Sequence, residues 1–252
     1  MAATATPLHV VVLAAGRGSR LGALMDDRPK WLIEVGGRTL ADRQLDGIAR
    51  AQEQGAVASV RVVTGHAAEA IDAELARRDA DVATLFNPEY AEINNWWSVL
   101  RALRELPDDG PMAIINSDLM ATPEQVAAFM AAAAAGAADG LLAVDLEKVL
   151  TDESMKVSRT AEGVLERIGK VGIDDPVGEY VGMMMARGDV LRAMRAHLEA
   201  FVGRPEAANE WYEGAVGRSA AEGVAWEIWP MPTGGWVEID DDGDLAAAQA
   251  LA

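Results

Sequence analysis

The chain has 252 residues, half of them hydrophobic, with no cysteine and three histidines. This composition excludes disulfides, thiolate nucleophiles and cysteine-ligated zinc, so any metal ion is expected on carboxylates. Forty acidic residues against twenty-two basic ones give a formal net charge of −18, which argues against nucleic acids and anionic membranes as partners.

The length favours a single domain, because α/β proteins of this size often remain undivided. No apolar run approaches the roughly 18 residues that a membrane span needs, and the N-terminal "MAATATP" lacks the basic and apolar regions of a signal peptide. We therefore expect a cytoplasmic protein. The sequence leaves the oligomeric state open, a homo-oligomer included.

The first predicted element is a buried strand, "LHVVVLAA", which runs directly into the glycine-rich stretch "GRGSRLG". A strand followed by Gly16, Gly18 and Gly22 is the usual layout of a nucleotide site. Leu21 stands where the dinucleotide fingerprint G-x-G-x-x-G needs glycine, and the G-K-[ST] of a Walker loop is absent. The stretch is therefore neither of the common phosphate loops.

Cations follow these glycines closely. Arg17 and Arg20 lie within the stretch, and Lys30 follows in "DRPKWLIEV". Pro29 fixes the local backbone, while the compact charge of Lys30 suits a triphosphate. The alternative is that the glycines make only a tight turn and the cations are solvated. The spacing of Arg20 and Lys30 favours the phosphate interpretation.

Further short apolar strands are predicted along the chain, in "SVRVVTG", "VATLFN", "PMAIINSD", "GLLAVD", "EYVGMMMA" and "WVEID". Helical stretches separate many of them. This alternation predicts right-handed βαβ units and an α/β fold with a doubly wound, mostly parallel, Rossmann-like sheet. Between Thr151 and Val181 the pattern loosens, and we expect a small β-rich subregion there that forms one wall of the active-site cleft.

Two carboxylates stand at predicted strand ends, Asp118 in "INSD" and Asp240 in "WVEID". Ligands of open α/β sheets bind beyond the carboxyl ends of strands. Two carboxylates from separate strands, together with phosphate oxygens, are a usual way to hold Mg²⁺. Helix capping is the alternative, since both precede helical stretches; Asp242 and Asp244 suit that role better than Asp240 does.

These motifs together resemble the signature of nucleotidyltransferases that make activated sugars and alcohols, L-A-A-G-x-G-x-R-[LM] followed by P-K-x-L. "LAAGRGSRLG" and "RPKWLIEVGGRTL" match it, and "INSD" and "EID" extend the likeness. "NPEYAEINNWWSVL" is similar to the N-N-x-[YW]-S-[LM] segment of the phosphocholine and 2-aminoethylphosphonate cytidylyltransferase-like group. "DESMKV", "ERIGK" and "GEYVGM" also resemble acceptor-side elements of that group.

The resemblance implies the nucleotide-diphospho-sugar transferase type of fold within one domain spanning residues 1–252. Approximately residues 1–120 would bind the nucleotide and 121–252 the acceptor. It further implies CTP rather than UTP or dTTP as the nucleotide, Mg²⁺ as the cofactor, and transfer of CMP to a small acceptor that carries a phosphate or phosphonate, with release of pyrophosphate.

The resemblance also implies roles for individual residues. The nucleotide would lie on the residues that follow the first strand and on two at the third helix: Leu13, Ala14, Ala15, Gly16, Arg17, Gly18, Asn95 and Ser98. Catalytic cations would be Arg20, Lys30 and Lys156, and Asp118 and Asp240 would hold the metal. Lys156 and Lys170 would grip the acceptor's phosphate or phosphonate, and Glu179 would face its other end.

Seven tryptophans against three phenylalanines suggest aromatic residues at the cleft. Aromatic faces beside a carboxylate suit a quaternary or primary ammonium group through cation–π attraction. "NEWYEG", with Trp211, Tyr212 and Glu210 or Glu213, is the best local candidate; Trp97, Trp229, Trp236 and Glu179 are others. The alternative is that the tryptophans pack in the core. Phosphocholine, 2-aminoethylphosphonate, a hydroxyalkyl phosphonate and inositol or sugar phosphates remain open as acceptors.

Three rival functions are weighed against this one. A sugar-1-phosphate nucleotidyltransferase using UTP or dTTP is disfavoured by "NNWWS". A nonenzymatic nucleotide sensor would be expected to lack Lys30, Asp118 or Asp240, and all three are present. A dinucleotide oxidoreductase needs the glycine that Leu21 replaces.

Overall fold

The computed structural model describes residues 6–18, 20–21, 28–107 and 110–252, so Ser19 and Gly22 of the glycine-rich stretch lie outside the described residues. Its strands, in chain order, are β1 (Leu8–Ala14), β2 (Glu34–Val35), β3 (Arg38–Thr39), β4 (Val57–Thr64), β5 (Ala83–Phe86), β6 (Met112–Asn116), β7 (Leu119–Met120), β8 (Gly140–Asp145), β9 (Lys156–Arg159), β10 (Leu165–Gly169), β11 (Gly178–Ala186), β12 (Glu227–Pro230) and β13 (Val237–Glu238).

The α-helices of the described residues are α1 (Leu40–Glu53), α2 (Ala68–Arg77), α3 (Asn95–Glu105), α4 (Pro123–Ala134), α5 (Gly188–Phe201), α6 (Tyr212–Ala221) and α7 (Asp242–Leu251). Short 3-10 helices span Lys30–Leu32 and Pro205–Ala207. Among the described residues, no helix is both long and apolar enough to cross a lipid bilayer.

Nine of the described strands form one sheet at the centre of the fold. β1 lies between β4 and β6 and is parallel to both, and β5 continues the parallel run beyond β4. β11 runs antiparallel to β6 and to β8, and β12 is parallel to β8. The predicted doubly wound, mostly parallel sheet is therefore confirmed, with β11 as a reversed strand in its middle.

The β-rich subregion expected between Thr151 and Val181 is a hairpin of β9 and β10. The hairpin joins the sheet through β9, which pairs with Gly178 and Glu179 at the start of β11. Further along β11 the register shifts between Tyr180 and Met184. The shift bends the strand and lets its two halves pair with different neighbours.

Apolar residues cover both faces of the sheet, as the alternation of β1 shows. Val10 and Val12 belong to one buried cluster, which also contains residues of α1, α4 and α7. Val11 and Leu13 belong to the other, with residues of α3, α5 and α6. Because successive side chains of a strand point to opposite faces, one apolar run supplies both cores.

Helix starts follow the capping chemistry of the sequence. At α4, Thr122 and Gln125 form a reciprocal capping box with Pro123 at the first helical position. At α7 the cap is Asp241, which pairs reciprocally with Asp244, while Asp242 lies in the first turn. The carboxylate of Asp240 therefore stands outside the cap.

Candidate functional site

A cleft of about 320 Å³ opens beyond the carboxyl ends of β1 and β6. The two strands are in register, with Leu13 beside Asn116, so both end at the same edge of the sheet. Such an edge is where open α/β sheets bind ligands. The described lining residues are Leu13, Ala15, Gly16, Gly18, Arg20, Lys30, Tyr90, Ile93, Asn94, Asn95, Ser98, Asn116, Ser117, Asp118, Met155, Lys170, Trp211, Glu213, Glu238 and Asp240.

The glycine-rich turn lies along one side of this cleft. Gly18 has a φ of +63°, a left-handed conformation that favours glycine, and a Cβ built on it would lie 3.5 Å from the Cβ of Lys30. Leu21 is buried in the core, and its N–H donates to the carbonyl of Gly18 at 3.0 Å. Leucine at this position therefore anchors the turn to the core.

Three carboxylates meet at the centre of the cleft. Asp118, Glu238 and Asp240 each offer an oxygen atom, and these oxygens lie within 4.8 Å of one another. β13 pairs antiparallel with β7, which sets Glu238 opposite Leu119 and next to Asp118. Glu238 is a residue that sequence reasoning missed. The signal was present, because Glu238 and Asp240 are two positions apart in an extended segment and so share a face.

Two cations, Lys30 and Arg20, contact the aspartates of this cluster. The Lys30 ammonium, which is buried, donates to Asp118 Oδ2 at 3.1 Å and to Asp240 Oδ1. Arg20 Nη2 lies 2.8 Å from Asp240 Oδ2. Burial disfavours the charged form of Lys30, but the two aspartates outweigh it and raise its pKa. Burial likewise opposes ionisation of Asp240, but Lys30 and Arg20 hold its pKa below the ordinary value.

The carboxylate cluster fits a divalent cation such as Mg²⁺. Asp118 Oδ1 is buried and has no hydrogen-bond partner among the described residues. Burial, with added repulsion from Asp118 and Asp240, raises the pKa of Glu238 to about 8. Crowded carboxyl groups and an unpartnered oxygen are the conditions under which hard oxygen ligands take up Mg²⁺, which displaces the proton of Glu238.

Asn95 and Ser98 lie at the start of α3, on the side of the cleft near the end of β1. The side chain of Asn94 caps the helix. Asn95 Oδ1 accepts from the backbone N–H of Tyr212 at 3.0 Å, which ties α3 to α6. Ser98 is buried, and its Oγ accepts from Asn87 at 3.0 Å. The "NNWWS" segment therefore joins two helices as well as lining the cleft.

Lys170, Trp211 and Glu213 also line the cleft. The Lys170 ammonium lies 5.7 Å from the centre of the Trp211 ring. Glu213 is buried, and its Oε2 has no hydrogen-bond partner in the part of the chain that the structure describes. Burial is the main cause that raises the pKa of Glu213 to about 7. The cleft thus contains a further cation and a buried carboxyl group of which one oxygen lacks a donor.

The other predicted site residues lie outside the described lining. The Lys156 ammonium donates to the carbonyls of Lys170 at 2.9 Å and of Asp152 and Ser154 at 3.5 Å. Glu179 is buried, accepts from Ser154 Oγ at 2.9 Å and lies 3.0 Å from the Lys148 ammonium. These two side chains hold the loop before β9.

Four more predicted residues are placed around the cleft and not along it. Ala14 is buried in the core. The Arg17 guanidinium lies 5.8 Å from the ring centre of Tyr90, which does line the cleft. Tyr212 is buried, and its hydroxyl donates to Asn116 Oδ1 at 3.1 Å. Trp97 faces away, with its indole N–H donating to Glu89 at 3.1 Å.

Other tryptophans of the aromatic hypothesis pack in the core. Trp229 contacts Phe129 edge-on, with ring centres 5.5 Å apart. Trp236 is buried, and its indole N–H donates to Asp145 at 2.8 Å. Core packing is therefore the correct interpretation for these two, while Trp211 lies at the cleft.

Comparison with known proteins gives one family match. The model of the MobA-like NTP transferase domain matches residues 10–211.

Curated relatives carry several names. "Bifunctional protein GlmU" of Polaromonas naphthalenivorans is 28% identical over 87% of this chain and 46% of the relative. "CMP-5'-(3-aminopropyl)phosphonate synthase" of Streptomyces rubellomurinus is 31% identical over 97% of this chain and 38% of the relative. "N-acetylmuramate alpha-1-phosphate uridylyltransferase" of Caulobacter vibrioides is 27% identical over 97% of this chain and 96% of the relative. The chain spans less than half the length of the first two.

Among solved structures, the CTP:phosphocholine cytidylyltransferase of Streptococcus pneumoniae is similar, with a TM-score of 0.72 and 16% identity over 97% of this chain and 98% of that one. At this identity the likeness shows the fold alone. It confirms the expected type of α/β fold.

Proposed function

Because the chain belongs to the family of MobA-like NTP transferase domains, we propose that it transfers CMP from CTP to a small acceptor bearing a phosphate or phosphonate, with release of pyrophosphate. The observation that carries this proposal is the meeting of Lys30 and Arg20 with the carboxylate cluster of Asp118, Glu238 and Asp240 beside the glycine-rich turn. Cations placed beside carboxylates that can bind a metal ion are suited to stabilise the charge of a triphosphate whose α-phosphorus is being attacked.

The proposed reaction forms a bond from an acceptor oxygen to the α-phosphorus of CTP and breaks the bond to the oxygen that bridges to the β-phosphate. A phosphate's second pKa is about 6, so the attacking oxygen is already deprotonated at neutral pH. No side chain has to act as a general base.

The side chains therefore orient the substrates and neutralise charge. In the proposal, Lys30 and Arg20 contact the triphosphate, and Asp118, Glu238 and Asp240 hold Mg²⁺. A bound Mg²⁺ supplies Lewis-acid stabilisation of the phosphoryl oxygens. The nucleotide lies mainly on residues before about 120 and the acceptor on residues after it.

For the acceptor, we propose a primary amine at the end remote from the phosphate or phosphonate. The buried, unpartnered Oε2 of Glu213 needs a hydrogen-bond donor. A primary ammonium group donates three hydrogen bonds, whereas a quaternary ammonium group donates none. The Lys170 ammonium already lies over the Trp211 ring, which leaves less aromatic surface for a quaternary group.

Lys170 is the cation that we assign to the acceptor's phosphate or phosphonate. It lines the cleft together with Glu213, so the two charges match an acceptor that is anionic at one end and cationic at the other. The name of the Streptomyces relative describes a product of this class, an aminoalkylphosphonate joined to CMP.

A second candidate is transfer of a uridylyl or thymidylyl group to a sugar 1-phosphate. The name of the Caulobacter relative, a uridylyltransferase for a sugar α-1-phosphate, favours it. The buried carboxyl of Glu213 disfavours it, because such a sugar brings no positive charge to this group.

A pyrophosphate-release screen separates the two candidates. CTP, UTP, dTTP and ATP would each be tested with Mg²⁺ against 2-aminoethylphosphonate, 2-hydroxyethylphosphonate, phosphocholine and sugar 1-phosphates. We expect release with CTP and the aminoalkylphosphonate. Release only with UTP or dTTP and a sugar phosphate would establish the second candidate, and no release from CTP with any acceptor would refute the first.

A further inference from the structure

An acidic side chain, that of Glu153, contacts two of the cations that line the cleft. Glu153 Oε2 lies 2.9 Å from the Lys170 ammonium and 3.9 Å from Arg20 Nη1. Both cations line the cleft, whereas Glu153 projects from the loop before β9 and is largely exposed. The Glu153 carboxylate thus lies between Arg20, which is next to the carboxylate cluster, and Lys170, which lies over the Trp211 ring.

The bridge belongs to a longer series of contacts. Arg20 is held on its other side by Asp240 at 2.8 Å, and Lys170 lies over the Trp211 ring. The pKa of Glu153 is held below its ordinary value by Lys170, so the side chain is ionised at neutral pH. A negative charge therefore lies between the two positive groups that face incoming anions.

The position of this loop does not depend on the Glu153 carboxylate. Ser154 is buried, and its Oγ donates to Glu179 at 2.9 Å and accepts from the N–H of Thr151 at 3.1 Å. The Lys156 ammonium donates to the backbone carbonyls of Asp152 and Ser154. The backbone on both sides of Glu153 is anchored, so a neutral residue at this position leaves the loop in place.

We propose that Glu153 is a specificity-determining residue that pairs with Arg20 and Lys170 and is displaced from them by the phosphate groups of the substrates. The inference rests on the proposed function in assigning phosphate ligands to those two cations. Carboxylate and phosphate oxygens use the same guanidinium and ammonium donors, so they compete for them.

Competition of this kind favours ligands that carry more negative charge. A ligand must offer both cations at least what Glu153 offers, which a monoanion does poorly and a diphosphate or phosphonate dianion does well. It also favours release of pyrophosphate, because the side chain returns to the vacated cations. Exposed ion pairs are individually weak, so the expected change in affinity is modest, about threefold to tenfold for the two together.

The test is the binding of inorganic pyrophosphate, measured by titration calorimetry in excess Mg²⁺ for wild type, Glu153→Gln and Asp152→Asn. Asp152 is the exposed neighbour of Glu153, so its substitution makes the same change in net charge without touching the bridge. We expect the Kd of pyrophosphate to fall about threefold to tenfold in Glu153→Gln and to stay within about twofold of wild type in Asp152→Asn.

An unchanged or higher Kd in Glu153→Gln overturns the inference, as does an equal fall in both variants or binding to none of the three proteins. Turnover of CTP with an acceptor judges the proposed function separately. If wild type turns over CTP but Glu153→Gln binds pyrophosphate no more tightly, only the role of Glu153 fails. If Glu153→Gln binds more tightly but no acceptor is cytidylylated, only the proposed function fails.

Discussion

Lys30 is the residue on which the proposed chemistry depends most. It is the buried cation that contacts both Asp118 and Asp240, and it follows the glycine-rich turn closely enough to pack against Gly18. A lysine in this place contacts the two aspartates and, in the proposal, also the triphosphate.

Replacing Lys30 with alanine should lower kcat/KM by about a hundredfold or more, the usual effect of removing a preorganised charge from a reacting phosphoryl or acyl group. Steady-state kinetics would measure it, with circular dichroism to check folding. Arg50→Ala is a control, because Arg50 is an exposed cation paired with Glu124. Wild-type rates in folded Lys30→Ala would show that the site is misplaced.

Glu213 gives a pH dependence whose sign can be worked out. Its pKa is about 7, chiefly because of burial, so the carboxyl is neutral below that pH and negative above it. The amine of the acceptor stays protonated over this range. The preference for 2-aminoethylphosphonate over 2-hydroxyethylphosphonate, as a ratio of kcat/KM values, should therefore rise as pH increases from 6 to 8.

The ammonium group lowers the second pKa of 2-aminoethylphosphonate below that of 2-hydroxyethylphosphonate, so the same ratio in Glu213→Gln is the baseline for titration of the phosphonates. In Glu213→Gln the ratio should be lower than in wild type at pH 8 and should lack the rise that ionisation of Glu213 causes. A ratio that is independent of pH in wild type, or that rises equally in the variant, would remove Glu213 from acceptor recognition.

Single residues also show what a motif can and cannot locate. Lys30, Asp118 and Asp240 could be predicted because each follows the end of a strand or turn, and parallel strand ends share one edge of the sheet. Trp97 was selected from the right segment, but it faces outward on α3 while its neighbour Trp96 is buried. Adjacent helical residues point about 100° apart, and the motif does not show which of two neighbouring tryptophans faces the core and which faces away from it.

The glycine-rich turn is the element that brings backbone and Lys30 together. Gly18 has a φ of +63°, where an alanine costs about 1–2 kcal/mol. Gly37, in the turn between β2 and β3, has a φ of +74°, and a Cβ there would meet no described atom within 4 Å. The two glycines thus have the same backbone requirement, but only Gly18 lines the cleft.

Gly18→Ala and Gly37→Ala form a matched pair. Both should lower Tm by a few degrees for the same backbone reason. Gly18→Ala should also lower turnover about tenfold or more by moving the turn relative to Lys30, while Gly37→Ala keeps its activity. Equal activities in the two variants at equal stability would mean that the turn does not position the substrates.

Strands were easier to predict than their directions. "EYVGMMMA" has the continuous apolar character of a buried parallel strand, yet β11 runs antiparallel to β6, β8 and β9. The two-residue strands β7 and β13, whose pairing places Glu238, carry no periodicity at all. Direction and such short pairings are set by tertiary packing, so no local pattern reports them.

At the scale of the whole molecule, the charge of −18 contrasts with the cations gathered at the cleft. Arg20, Lys30 and Lys170 all line it. The acidic surface elsewhere repels anions, so the cations of the cleft are where a phosphate group can be held. Composition alone could suggest that contrast but could not locate it, because the three residues come together only through the fold.

The carboxylate cluster should link metal binding to global stability. A ligand that binds only the folded state raises Tm, so millimolar Mg²⁺ should raise it in wild type and not in Asp118→Asn. Protons compete with the metal at Glu238, whose pKa is about 8. The shift, measured by differential scanning fluorimetry, should therefore be larger at pH 8.5 than at pH 6.5.

A shift of the same size in Asp118→Asn would place the metal elsewhere. EDTA should abolish the wild-type shift, and Ca²⁺ at the same concentration would show how far the cluster discriminates between hard cations of different size.

The central claim, transfer of CMP to a phosphonate dianion, is tested most directly by ³¹P NMR of a reaction containing CTP, 2-aminoethylphosphonate, Mg²⁺ and the protein. The account predicts two new mutually coupled signals, one in the phosphonate region and one in the phosphate region, from a P–O–P link to CMP. They should appear together with stoichiometric pyrophosphate and be lost in Asp118→Asn. Unchanged CTP, or CDP and orthophosphate without a coupled phosphonate signal, would contradict it.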